Sequence, residues 1–179
     1  NTSALSITEM ASVLRSPERF IGMHFFSPVN RMPLVEVIPG KNTNNETIAT
    51  IMELAKDMGK TPILVKDCPG FLINRILIPY VNEAVYLLED GLSIKEIDKK
   101  ARDFGLPLGP LELADEVGID VGSKVAKELE EGYGNRMIVP VLFKKILSQE
   151  ELLGKKSEKS FYLYPKQKRH KGDKKTVNP

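Results

Sequence analysis

Apolar positions follow two different patterns along this chain. Residues 20–26 (Phe-Ile-Gly-Met-His-Phe-Phe) and 34–38 (Leu-Val-Glu-Val-Ile) are short apolar runs bounded by Pro28 and Pro33. They read as two strands of a hairpin. A helix over 44–58, stopped by Gly59, and a strand over 62–65 complete a region that is α/β in style. Beyond it the pattern is helical. Asp67-Cys68-Pro69-Gly70 reads as the cap and start of a long apolar helix to about residue 90, stopped by Gly91 and kinked at Pro79. Ser93 with Glu96 forms a capping box for a helix ending at Gly105, and Gly109-Pro110 opens another that stops at Gly118. Residues 120–131 and 137–147 supply two more, and no solenoid repeat is present.

This divides the chain into an α/β part over 1–66, a helical part over 67–164 and a basic linker over 165–179. A length of 179 residues suffices for one good core or two small ones. No apolar run approaches the roughly 20 residues of a membrane span; the longest, 76–88, is interrupted by Pro79, Asn82 and Glu83. The single cysteine, Cys68, cannot form an internal disulfide and reads as a small packing residue. The net charge of +2 is unevenly spread, with nine Lys and Arg against three Asp and Glu between 151 and 179. That basic end has no aromatic residue beyond Pro165 to stack on bases and no helical period, so it argues for a solvated linker or a phosphate-attracting surface rather than nucleic acid binding.

Candidate chemistry sits on the hairpin. If residues 20–26 and 34–38 pair antiparallel about the middle of their connection, His24 and Glu36 fall opposite each other and share a face. A carboxylate there fixes the imidazole tautomer and stabilises the imidazolium formed when the other nitrogen takes a proton. Taken without context, such a pair is more often a satisfied polar contact at a sheet edge than a catalytic dyad.

Context comes from the motifs Asn1-Thr2-Ser3, His24-Phe25-Phe26-Ser27-Pro28, Leu34-Val35-Glu36-Val37-Ile38 and Lys66-Asp67-Cys68-Pro69-Gly70-Phe71, with Asn74-Arg75 behind the last. As a set, over residues 1 to about 164, the chain resembles the L-3-hydroxyacyl-CoA dehydrogenases of fatty-acid β-oxidation. The resemblance implies the C-terminal part of a Rossmann-type NAD domain followed by a helical C-terminal domain. It implies His24 as catalytic base, Glu36 as its partner, Ser3 as a contact to substrate hydroxyl and cofactor, and Asn74 as a substrate-orienting amide. Ser27 and Lys156 fall where the family places cofactor contacts, and no residue is assigned to a metal. The run Phe161-Tyr162-Leu163-Tyr164 followed by a basic stretch is most similar to the dehydrogenase segment of bacterial multifunctional fatty-oxidation α subunits. That implies a cytoplasmic parent which pairs with a thiolase and self-associates through its helical domain. One departure stands out. In Gly154-Lys155-Lys156-Ser157-Glu158-Lys159-Ser160-Phe161-Tyr162, Glu158 and Ser160 replace two family glycines; if those require positive φ, the turn that carries Lys156 is altered.

The residue types suit the reaction. Oxidising a secondary alcohol removes a hydride from carbon and a proton from oxygen, and a neutral imidazole accepts that proton near neutral pH. Ser3 and Asn74 can each donate and accept, which suits both alcohol and ketone. Ser3 also reads as part of a helix start, since Ser6 and Glu9 make a capping box; Asn74 also reads as a solvent-facing helix residue, although Ile73, Ile76 and Leu77 leave little polar surface around it. No Gly-x-Gly-x-x-Gly turn follows any strand, so the chain is expected to be a piece that begins inside a cofactor domain. The rival from another class, a non-catalytic helical dimerisation or acyl-CoA-binding module, has no need of His24 with Glu36. A β-hydroxyacid dehydrogenase of another type calls for a lysine base on the helical part, and no Lys lies near Asn74.

Overall fold

The computed structural model describes residues 5–149, 151–165 and 175–178, in two compact units, 1–76 and 77–179. In the first, β2 (Leu34–Pro39) has a partner on each side: β1 (Ile21–Phe25) runs antiparallel to it and β3 (Thr61–Leu64) parallel, giving the order β1-β2-β3. A central strand loses its solvent face, so Val35, Glu36, Val37 and Ile38 are all buried and the period-2 alternation disappears. The hairpin register pairs His24 with Glu36, as the symmetry of the loop about residue 30 predicts. The crossover from β2 to β3 is α2 (Asn45–Asp57), where the Asn44 side chain accepts from Thr47 N at 2.8 Å.

The core of this unit gathers Ile7, Ile38, Val65 and Phe71. Ile7 starts α1 (Ile7–Ser12), and Asp67 ties that helix down from sixty residues away. Its carboxylate accepts from Ile7 N at 3.0 Å, Thr8 N at 2.8 Å and Ser6 Oγ at 3.1 Å. The expectation that Asp67 caps the helix following it is therefore corrected: it caps α1 instead. Burial pushes the Asp67 carboxyl up, but the hydrogen bonds from Thr8, Ile7 and Ser6 outweigh it and hold the group below its ordinary value of 3.8. A depressed carboxyl contributes stability above its unfolded value and loses it as pH falls through the folded one. Asp67→Asn should thus cost about 1 kcal/mol at neutral pH, with the deficit shrinking below pH 3.8. Chemical denaturation of both proteins at the two pH values measures it.

The second unit is helical. The boundary falls inside α3 (Ile73–Glu89), which carries Pro79 and is followed by α4 (Ile94–Asp103), α5 (Pro110–Val117), α6 (Ile119–Tyr133) and α7 (Val141–Leu147). Val85, Leu111, Ile119 and Leu129 form the driest part of its core. The Ser93–Glu96 capping box is present at α4. The helix expected over 137–147 starts only at Val141, after a 3₁₀ turn at Gly134–Met137, because Pro140 holds the extended conformation that precedes it.

Two buried aspartates organise this unit. Asp98 accepts from Leu111 N at 2.9 Å, Glu112 N at 3.0 Å and the Tyr162 hydroxyl at 2.6 Å. It thus caps α5, whose own N-cap, Gly109, has no side chain; a Cβ there would lie 2.2 Å from the Asp98 carboxyl carbon. Asp115 accepts from Phe161 N, Tyr162 N and the Tyr164 hydroxyl, and burial raises its carboxyl above the ordinary range despite those donors. Burial likewise raises both phenols, aided by Asp98 at Tyr162 and by Asp115 at Tyr164.

These contacts hold β4 (Tyr162–Leu163), and β4 pairs antiparallel with β5 (Thr176–Val177). The end of the stretch read as a linker is therefore structured: Asn178 Nδ2 donates to Ser160 O at 2.7 Å, and Lys175 pairs with Glu112 and lies 4.3 Å above the Tyr162 ring. Residues 166–174 of that stretch lie outside the described residues. Among the described residues no helix is long and apolar enough to cross a membrane.

Candidate active site

The first unit brings two of the expected site residues into contact. His24 Nδ1 lies 2.6 Å from Glu36 Oε2, and both side chains are buried, at 5% and 0% exposure. The other carboxylate oxygen is occupied as well: Leu72 N donates to Glu36 Oε1 at 2.9 Å and Ile73 N at 3.0 Å. These are amides at the start of α3, which have no partner within the helix and carry the positive end of its dipole. Glu36 therefore caps α3 with one oxygen and holds the imidazole with the other. Oε1 already receives two N–H groups, and Oε2 faces Nδ1, an arrangement that suits the tautomer in which Nδ1–H donates to Oε2 and Nε2 is left as the acceptor nitrogen of the ring. The Phe26 and Phe71 rings lie 4.6 Å and 5.8 Å from the imidazole centroid, both tilted.

The remaining candidates fall at different places. Asn74, half-buried, follows Ile73, so its backbone is set by the helix start that Glu36 caps. Ser27 is exposed three residues beyond His24, where β1 has ended. Ser3 lies outside the described residues. Lys156 belongs to the second unit, on the 3₁₀ turn Lys155–Ser157, with its Nζ 2.5 Å from Asp120 Oδ1. That hydrogen bond is the main cause holding the Asp120 carboxyl below its ordinary value.

The altered turn keeps a left-handed residue. Glu158 itself adopts φ +65°, Lys159 N donates to Gly154 O at 3.2 Å and Gly154 N donates to Lys159 O at 3.1 Å. A side chain pays a steric penalty there that glycine does not. Among the described residues Ser160 is not one of those with positive φ. The departure at 158 is thus absorbed as backbone strain.

Two features escape the sequence reading: the second task of Glu36, and the aromatic rings beside His24. Phe26 and Phe71 are visible in the motifs, but only the fold brings Phe71 to the imidazole.

The first unit thus carries a buried His–Glu pair on a β-hairpin joined to a β-α-β crossover, and the second unit is helical; comparison with known families says which class of protein has these two parts. Residues 1–68 match the NAD binding domain of 3-hydroxyacyl-CoA dehydrogenase, and residues 70–164 match the C-terminal domain of the same enzyme. The chain belongs to the 3-hydroxyacyl-CoA dehydrogenase family. It is 51% identical over 166 residues to the fatty acid oxidation complex subunit alpha of Shewanella amazonensis, covering 93% of this chain and 23% of that protein. The corresponding subunit of Vibrio cholerae is 48% identical over 174 residues, covering 97% and 24%. The crystal structure of (S)-3-hydroxybutyryl-CoA dehydrogenase from Ralstonia eutropha superposes with a TM-score of 0.88 at 41% identity, covering 93% of this chain and 59% of that one. The chain thus spans about a quarter of the length of the curated relatives it matches.

Proposed function

We propose that the protein is an NAD-dependent L-3-hydroxyacyl-CoA dehydrogenase that oxidises 3-hydroxyacyl-CoA to 3-ketoacyl-CoA in fatty-acid β-oxidation. The observation that carries this reading is the 2.6 Å contact between His24 Nδ1 and a Glu36 carboxylate whose other oxygen is fixed by two helix amides. His24 Nε2 accepts the substrate hydroxyl proton as the C3 hydride leaves and the carbonyl forms. Glu36 keeps the other proton on Nδ1 and stabilises the imidazolium. Asn74 orients the substrate oxygen, and Ser3 contacts the hydroxyl and the cofactor.

Bound NAD supplies the hydride acceptor. Ser27 suits its nicotinamide end, since an exposed hydroxyl sits at the end of the strand that carries His24. Lys156 is a weaker fit, because Asp120 already holds its ammonium. The sequence has no glycine-rich turn for the pyrophosphate. The 179-residue polypeptide alone should therefore be catalytically silent. It should also self-associate, because Val117, Val121, Ile138 and Val141 leave apolar side chains exposed on the helical unit. Sedimentation and an NADH absorbance assay decide this, and a monomer with measurable turnover contradicts both expectations. The same reading places the protein in the cytoplasm, self-associated through its helical unit and partnered with a thiolase subunit.

Asn74 supplies the test of the substrate assignment. In the full-length protein, cofactor domain included, Asn74→Ala should lose turnover of 3-hydroxyacyl-CoA while NAD affinity is retained. An equal loss of NAD affinity, measured by fluorescence titration, contradicts the role.

A further inference from the structure

We infer that Phe71 is a positioning residue for the His24–Glu36 pair, a role that rests on His24 being the base. Gly70 and Phe71 take left-handed conformations in succession, with φ +71° and +48°. Glycine does so freely, whereas an aromatic residue there is a steric outlier that persists only where its surroundings hold it. Here they do. The Phe71 side chain is 1% exposed, clustered with Ile7, Ile38 and Val65. Its N–H donates to Cys68 O at 2.9 Å, and its carbonyl accepts from Cys68 Sγ at 3.5 Å.

Two results follow from this one strained residue. The next two amides, Leu72 N and Ile73 N, both point at Glu36 Oε1. The Phe71 ring stands 5.8 Å from the imidazole at 58°, so that His24 has an aromatic neighbour here as well as at Phe26. The backbone of Phe71 thereby sets the donors that hold Glu36, and its side chain bounds the ring that Glu36 orients. A residue needed only to fill the core has no reason to sit at positive φ immediately before the helix start that the site uses. Phe71 acts through the pair and so shapes catalysis without a chemical role of its own.

Two substitutions separate its parts in the full-length protein. Phe71→Gly keeps the left-handed backbone and removes the ring; Phe71→Leu keeps apolar bulk and removes the aromatic contact. Both should lower kcat about ten- to a hundredfold, the effect of a small misplacement at a reacting group, with KM for acyl-CoA and NAD little changed. In ¹⁵N NMR spectra the wild-type His24 ring should show a single Nδ1–H tautomer at neutral pH, and the variants a mixture. Unchanged kcat and an unchanged tautomer, whatever the loss of thermal stability, would reduce Phe71 to core packing. A lost tautomer with normal turnover upholds the positioning and sinks the assignment of His24 as base, so the two ideas fail separately. The wild-type spectrum is a test without any variant, because a mixed tautomer population there overturns the proposal.

Discussion

His24→Ala in the full-length protein should lower kcat by about 10²- to 10⁴-fold, the span for a lost general base, with KM for 3-hydroxyacyl-CoA little changed. The split follows from position. The His24 side chain is 5% exposed and its Nδ1 faces Glu36, so the contribution proposed for it is proton transfer at Nε2 more than binding surface. Removing the ring also leaves Glu36 Oε2 without its buried partner, so some stability should be lost. Oε1 keeps its two amides, which limits that loss. Steady-state kinetics beside a thermal melt checks both parts. Near-normal turnover in a folded variant would remove His24 from its role.

Glu36→Gln should be as damaging, for a different reason. Leu72 N and Ile73 N both donate to Oε1, so a glutamine at 36 must turn its carbonyl oxygen toward them. That leaves its NH₂ facing His24 Nδ1, across a gap the carboxylate spans at 2.6 Å. Two donors cannot share that contact, so the imidazole moves its proton to Nε2 and the basic nitrogen faces the wrong way. A loss of about 10³- to 10⁴-fold in kcat is expected, the size seen when the carboxylate of a hydrolytic triad becomes an amide. Because glutamine keeps the cap on α3, the melting temperature should fall much less than in Glu36→Ala, which strips two helix amides and the imidazole of their acceptor at once. Full activity in Glu36→Gln would make Glu36 a capping residue alone.

Local features of this fold were readable before any coordinates. The His24–Glu36 register followed from two apolar runs placed symmetrically about their loop. The Ser93–Glu96 box is a contact between residues three apart. What escaped were carboxylates acting at a distance. Asp67 looked like the cap of its own helix yet serves α1, and Glu36 caps α3 from 36 residues away. Asp98 and Asp115 likewise draw α5 and the Tyr162 segment together. Periodicity registers which face of an element is apolar; it carries no record of which buried acid meets which helix end. The pairing of Thr176–Val177 with Tyr162–Leu163 is hidden for a related reason, since a two-residue strand has too few positions to show alternation. The family resemblance raised positive φ at both 158 and 160, and Glu158 alone of the two adopts it.

The central claim is that the His24–Glu36 pair removes a proton while a hydride passes from 3-hydroxyacyl-CoA to NAD. Its most direct test is NADH absorbance during incubation of the full-length protein with NAD and L-3-hydroxybutyryl-CoA. One NADH should form for each 3-ketoacyl-CoA produced, and the His24→Ala protein should form almost none. Absence of NADH from a folded wild-type protein that binds both ligands, or its undiminished formation by the variant, would contradict the account.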